Sequence, residues 1–147
     1  MTVVSRAEIV RVAVGYIGTP FHHMGRQPGV GLDCAGVLVC CARELGLVSL
    51  DFDVPSYTPT PDGHSMIRWC EQYMRRVQQS EMKPGDAIVL ATDVEPQHIG
   101  MLGVYQHGGL SIIHASNASH PPRVIETRLM YSRAQRFVAA YTLPGIV

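Results

Sequence analysis

A chain of 147 residues, 46% of them hydrophobic, can bury one core but hardly two, so a single domain over residues 1–147 is expected. Its 12 basic residues balance 12 acidic ones, which gives no charge excess to attract nucleic acid or an anionic membrane surface and leaves ligand recognition to local chemistry. No apolar run approaches the ~20 residues of a membrane span, and Met1 to Glu8 lack the basic leader, apolar stretch and small-residue cleavage site of a signal peptide, so the product is expected to be made in the cytoplasm without membrane insertion.

Ser5-Arg6-Ala7-Glu8 matches a capping box, and Ile9, Val12, Ala13, Tyr16 and Ile17 recur at helical spacing, which predicts a first helix to about Gly18. Thr19-Pro20 breaks it, and a glycine-bearing loop over 21–32 leads to Asp33-Cys34-Ala35-Gly36. From there Val37 to Leu45 is helix-compatible and is closed by Gly46, so Asp33 reads as the N-cap and Cys34 falls in the first turn. Unpaired amides and the positive end of the helix dipole favour an anion there, and such a setting can bring a cysteine pKa from about 8.5 to between about 3.5 and 7.5. Taken alone, a cysteine of this kind is more often a buried structural residue. Cys40, Cys41 and Cys70 complete the set, three of the four lie on one predicted helix, and free thiols are expected.

Residues 48–61 hold three prolines without a period and predict an ordered but irregular loop that lines the cleft. A further helix, capped by Asp62 or Ser65, uses Met66, Ile67, Trp69, Cys70, Tyr73, Met74 and Val77 as its apolar positions, and these read as core. After Lys83-Pro84-Gly85-Asp86 the pattern turns to short β-type runs: Ala87–Ala91, His98–Tyr105, Leu110–His114, Val124–Glu126 and Phe137–Tyr141. Helices first and a meander of strands afterwards predict an α+β domain, its helices on one side of a mainly antiparallel sheet of about five strands.

His98 opens one strand and His114 ends the next, so a hairpin around His107-Gly108-Gly109 brings both to one edge of the sheet. A thiolate nucleophile needs a base that accepts its proton, and the base needs an orienting partner; Cys34, His98 and His114 can supply all three. Each histidine taken singly has a surface or structural reading, and a zinc site from Cys34, Cys40 or Cys41 with the two histidines lacks knuckle spacing. His64 and His120 sit beside turn formers, and Gly108-Gly109 lacks the context of a phosphate loop.

Tyr16-Ile17-Gly18-Thr19-Pro20-Phe21, Gly31-Leu32-Asp33-Cys34-Ala35-Gly36, Lys83-Pro84-Gly85-Asp86, Gln97-His98-Ile99-Gly100 and Ile112-Ile113-His114-Ala115 occur in the order of the NlpC/P60 cysteine peptidases, which the chain resembles over nearly its whole length. It looks most like the stand-alone members of phage-tail and gene-transfer-agent clusters, in Thr19 to Arg26, in Pro28 to Gly36, with alanine after the cysteine, and in Arg136 to Tyr141. The resemblance implies a papain-like fold, with Cys34 as nucleophile, His98 as base and then acid, and His114 as its orienting group. It implies no cofactor or metal, and as partners a peptidoglycan stem peptide, cut between D-glutamate and the diamino acid, and phage-tail proteins. It gives Asp33 a role in holding the substrate's amine, compatible with capping only if one carboxylate oxygen stays exposed. The family's oxyanion tyrosine is replaced by Phe21-His22-His23, so His22 or His23 would be the side-chain donor, beside amides at the start of the Cys34 helix. Relatives of this kind also include non-peptidoglycan amidases, acyltransferases and tail-assembly components with a weakened site.

Overall fold

The computed structural model describes residues 2–59, 62–93, 95 and 97–147. Helix α1 (Arg6–Val14) starts at the expected capping box, with the Glu8 amide donating to Ser5 Oγ at 3.2 Å and the Ser5 amide to Glu8 Oε2 at 2.8 Å. It ends at Val14 rather than near Gly18 because the sheet captures the following chain: the Gly18 amide donates to the Val124 carbonyl and the Val124 amide to that of Thr19. Tyr16 is buried, whereas Ile17, released from the helix, is 42% exposed. Within the loop expected over 21–32 lies a minimal antiparallel hairpin, β1 (Arg26–Gln27) with β2 (Gly31–Leu32).

Helix α2 (Cys34–Glu44) begins where the sequence predicts, with the Asp33 carboxylate accepting from the Gly36 amide at 2.9 Å. Every residue from Ala35 to Ala42 is buried, so α2 is the central helix. A Cβ at Gly36 would lie 2.4 Å from the Gly25 carbonyl oxygen; glycine here lets the β1 end of the hairpin press against the first turn of α2. All four cysteines are free thiols, and Cys40 Sγ turns away to the Arg26 carbonyl at 3.3 Å.

The 48–59 segment has neither helix nor strand, as expected, while Thr60 and Pro61 of the predicted loop lie outside the described residues. Asp62 serves the start of α3 (Ser65–Tyr73) from outside the helix, accepting from the His64 and Ser65 amides at 2.9 and 2.8 Å. The helix is shorter than its apolar spacing predicts. Arg75–Val77 forms β3 instead and pairs with the last strand, Val77 facing Ala140, because an open sheet edge offers these residues ladder hydrogen bonds that a frayed helix end lacks.

The five predicted runs become β4 (Ala87–Thr92), β5 (His98–Val104), β6 (Leu110–Ser116), β7 (Arg123–Arg128) and β8 (Gln135–Thr142). With β3 they make an antiparallel sheet of six strands rather than about five, in the order β3-β8-β4-β5-β6-β7. Alternation along the strands sends Val89, Met101, Ile113 and Tyr141 into the main core with all three helices, and Ile88, Leu90, Leu102 and Ile112 into a smaller apolar cluster. Among the described residues no helix is long and apolar enough to cross a membrane.

Candidate active site

Cys34 is the first residue of α2 and is half-buried on one wall of a cleft of about 540 Å³. The residue before it is held from four directions. Asp33 Oδ1 accepts from the Gly36 amide at 2.9 Å and from Arg26 Nη1 at 2.8 Å; Oδ2 accepts from the Met24 amide at 2.8 Å and from the Tyr57 hydroxyl in a very short contact. A carboxylate has about four acceptor positions, and here all are engaged with 3% of the residue exposed. The expectation that Asp33 also takes a substrate amine required an exposed oxygen, and that requirement is not met. Burial and the neighbouring Asp33 carboxylate push the Tyr57 phenol well above its usual range, so it stays a donor. Arg26 closes the cluster, donating Nη2 to the Tyr57 hydroxyl at 2.9 Å and Nε to Asp53 at 3.1 Å.

The two histidines meet as the hairpin predicts. The register Met101↔Ile113 and Leu102↔Ile112 puts His98, Gly100 and His114 on one side of neighbouring strands, and a Cβ at Gly100 would lie 3.1 Å from that of His114. His98 Nε2 lies 2.7 Å from His114 Nδ1, with the rings inclined by 75°. Cys34 acts on the same ring, standing close enough to raise the His98 pKa, so α2 and the β5–β6 hairpin bring all three expected residues together.

A fourth group is present that the sequence reading did not single out. Glu95 Oε2 stands 2.7 Å from His98 Nδ1, in the connection between β4 and β5. Burial of His98 disfavours the charged ring, but its bonds to Cys34 and Glu95 outweigh this and lift its pKa to about 10. His114 moves the other way, down to about 3, through burial and the positive charge of His98. Burial works against the Glu95 carboxylate, but its bond to His98 holds it below the usual range. The arrangement is therefore an imidazolium at His98, donating Nδ1–H to a carboxylate and Nε2–H to a neutral His114.

The histidine pair in the loop divides. His23 lines the cleft and meets the Tyr57 ring edge-on at 5.4 Å, whereas His22 is exposed and packs beside Gly31, outside the lining. Trp69, expected in the core, packs against it while also walling the cleft and a second, apolar cavity of about 300 Å³. Sequence reasoning missed Tyr57, which stands among prolines in an irregular loop, and Glu95, for which the one signal is an acidic residue in the short connection leading into a strand that begins with histidine. Among the described residues no group of three or more His, Cys, Asp and Glu side chains is arranged to hold a metal ion.

A family model for the NlpC/P60 family matches residues 18–139. No curated protein matches the chain. Among solved structures, the chain is similar to the NlpC/p60 domain of the peptidoglycan hydrolase SagA at 24% identity, covering 95% of this chain and 100% of that one, with a TM-score of 0.60. It is similar to an NlpC/P60 family protein from Bacillus cereus at 16% identity and TM-score 0.65, covering 94% of this chain and 40% of that one. An N-acetylmuramoyl-L-alanine amidase from Bacteroides uniformis shares 11% identity at TM-score 0.55, with 94% of this chain and 98% of that one covered. At these identities the structural likenesses concern the fold.

Proposed function

The chain belongs to the NlpC/P60 family, and from that premise we propose that it is a cysteine peptidase acting on peptidoglycan stem peptides. The observation that carries this reading is Cys34 at the start of α2, beside a His98 ring that it helps to charge and whose Nε2 is held by His114 at 2.7 Å. A thiolate at Cys34, stabilised by the imidazolium and the helix start, attacks the carbonyl carbon of an amide. The negative charge moves to the carbonyl oxygen, where the Cys34 amide, ahead of the first intrahelical bonds, and the cleft-lining His23 ring are the donors we assign. His98 passes its proton to the leaving nitrogen, the C–N bond breaks, and a thioester remains. Neutral His98 then takes a proton from water, whose oxygen attacks the thioester and releases the acid, restoring the thiolate and the imidazolium.

The substrate class is supported by the family and by similarity to a structure named as a peptidoglycan hydrolase. Within the stem peptide we propose the bond between D-glutamate and the diamino acid, and we propose delivery to the wall by a phage-tail-like particle. Mass spectrometry of purified muropeptides incubated with the wild type and with Cys34→Ala tests this. The expected products are fragments ending in D-glutamate, from the wild type alone. Stem peptides released whole from the glycan would shift the reading to an amidase, and equal cleavage by the variant would remove Cys34 from the reaction.

A further inference from the structure

The proposed reaction needs one histidine ring in one orientation, and Glu95 stands where it can set both that orientation and the ring's charge. Three groups face the His98 ring from three elements: Cys34 from α2, His114 from β6, and Glu95 from the connection between β4 and β5. The His98 side chain is 6% exposed and that of Glu95 24%, so the carboxylate covers the ring from the cleft side. The backbone keeps it there. The Glu95 amide donates to Thr92 Oγ1 at 2.8 Å, while its carbonyl accepts from the Thr92 amide at 2.8 Å, a turn that aims the side chain back over the start of β5.

We propose that Glu95 is a positioning residue of this site, its carboxylate 2.7 Å from His98 Nδ1 while His114 faces Nε2 at the same distance, so that the charged ring is held at both nitrogens and carries a counter-charge of its own. A half-turn of the imidazole about its Cβ–Cγ bond would exchange Nδ1 for a carbon and forfeit both contacts. The counter-charge matters at one step in particular. In a simple thiolate–imidazolium pair the anion disappears when the thioester forms, and nothing then favours protonation of the ring. Here Glu95 remains charged through that step. When water attacks the thioester, its proton goes to His98 Nδ1, the new imidazolium faces a carboxylate already in place, and the hydrolysis half of the cycle keeps a strong base. The same carboxylate makes the ring a weaker acid for the leaving nitrogen, so the residue trades speed in the first half for speed in the second.

This inference rests on the assignment of His98 as the base, yet its first test needs no substrate. The ring of His98 is titrated by NMR in the wild type, Glu95→Gln and Glu95→Asp. Loss of the charge at nearly constant shape is expected to lower the midpoint in Glu95→Gln by about one pH unit or more, and the shorter carboxylate to lower it by less. An unmoved midpoint in Glu95→Gln overturns the proposal; should that variant fail to fold, an unmoved midpoint in Glu95→Asp does so. A residue that merely closes the turn would leave the titration where it is. The second readout is the alkaline limb of muropeptide hydrolysis, expected to move to lower pH in Glu95→Gln, with thioester accumulating as the hydrolysis half slows. A protein that titrates as expected but cleaves no muropeptide would retain the Glu95 assignment and sink only the substrate.

Discussion

His98 Nε2 and His114 Nδ1 lie 2.7 Å apart across adjacent strands, close enough for one proton to be shared and buried enough for its loss to be felt. The pair is unequal. His98 is the protonated member and His114 the acceptor, because His98 also faces Cys34 and Glu95 while His114 meets the positive ring. Replacing His114 by alanine removes the acceptor and leaves His98 Nε2–H unsatisfied. Hydrolysis is expected to fall about a hundred- to ten-thousand-fold, the range associated with a disabled acid–base residue. His114→Asn, with an oxygen near the position of Nδ1, should recover part of the loss; equal activities for the two variants would argue against an orienting role.

Tyr57→Phe probes the anchor beside Cys34. The variant deletes one of the four donors to Asp33 and the acceptor of Arg26 Nη2, in a cluster where both charges are largely buried. A buried polar group left without its partner costs about 1–3 kcal/mol. Urea unfolding should show a loss of that size with an unchanged slope, and a midpoint identical to the wild type would mean that Asp33 is satisfied without the hydroxyl.

Stability should be greatest near neutral pH, for reasons that can be assigned to single groups. His98 binds its proton more tightly in the folded chain than at its ordinary value of 6.5, so its contribution is complete below about pH 6.5 and is lost as pH rises towards about 10. His114 binds its proton more weakly when folded, so its contribution is present above about 6.5 and is lost as pH falls towards about 3. Glu95 acts in the same acid direction, its contribution disappearing as the carboxylate is protonated. Thermal unfolding of His98→Ala across this range should lose the alkaline decline; if the decline persists unchanged, another group causes it.

Legibility in the sequence followed the reach of the interactions. The start of α2 was readable because a cap is a local matter: Asp33 meets the amide of Gly36, three residues on. The five long strands and the meeting of His98 with His114 were readable because alternation and a tight hairpin fix register over a short span. Val77 was misassigned because Tyr73, Met74 and Val77 satisfy helical spacing, and only the distant partner Ala140 selects a strand. Whether an Asp33 oxygen stays exposed was not readable, because its extra donors, Met24, Arg26 and Tyr57, come from segments whose folding no local pattern announces. Glu95 stayed hidden because the connection that carries it has no period at all.

The division of the site between the two ends of the sequence has a consequence for synthesis. Everything that braces Cys34, namely Met24, Arg26, Gly36 and Tyr57, lies in the half of the chain that leaves the ribosome first. The side chains proposed to tune its reactivity, Glu95, His98 and His114, come in the second half, on or beside strands that also need β8 next to β4. A nascent chain therefore carries the proposed nucleophile in a shaped but unarmed state until β8 has emerged, and a ribosome stalled midway would display the Cys34 thiol with neither histidine beside it.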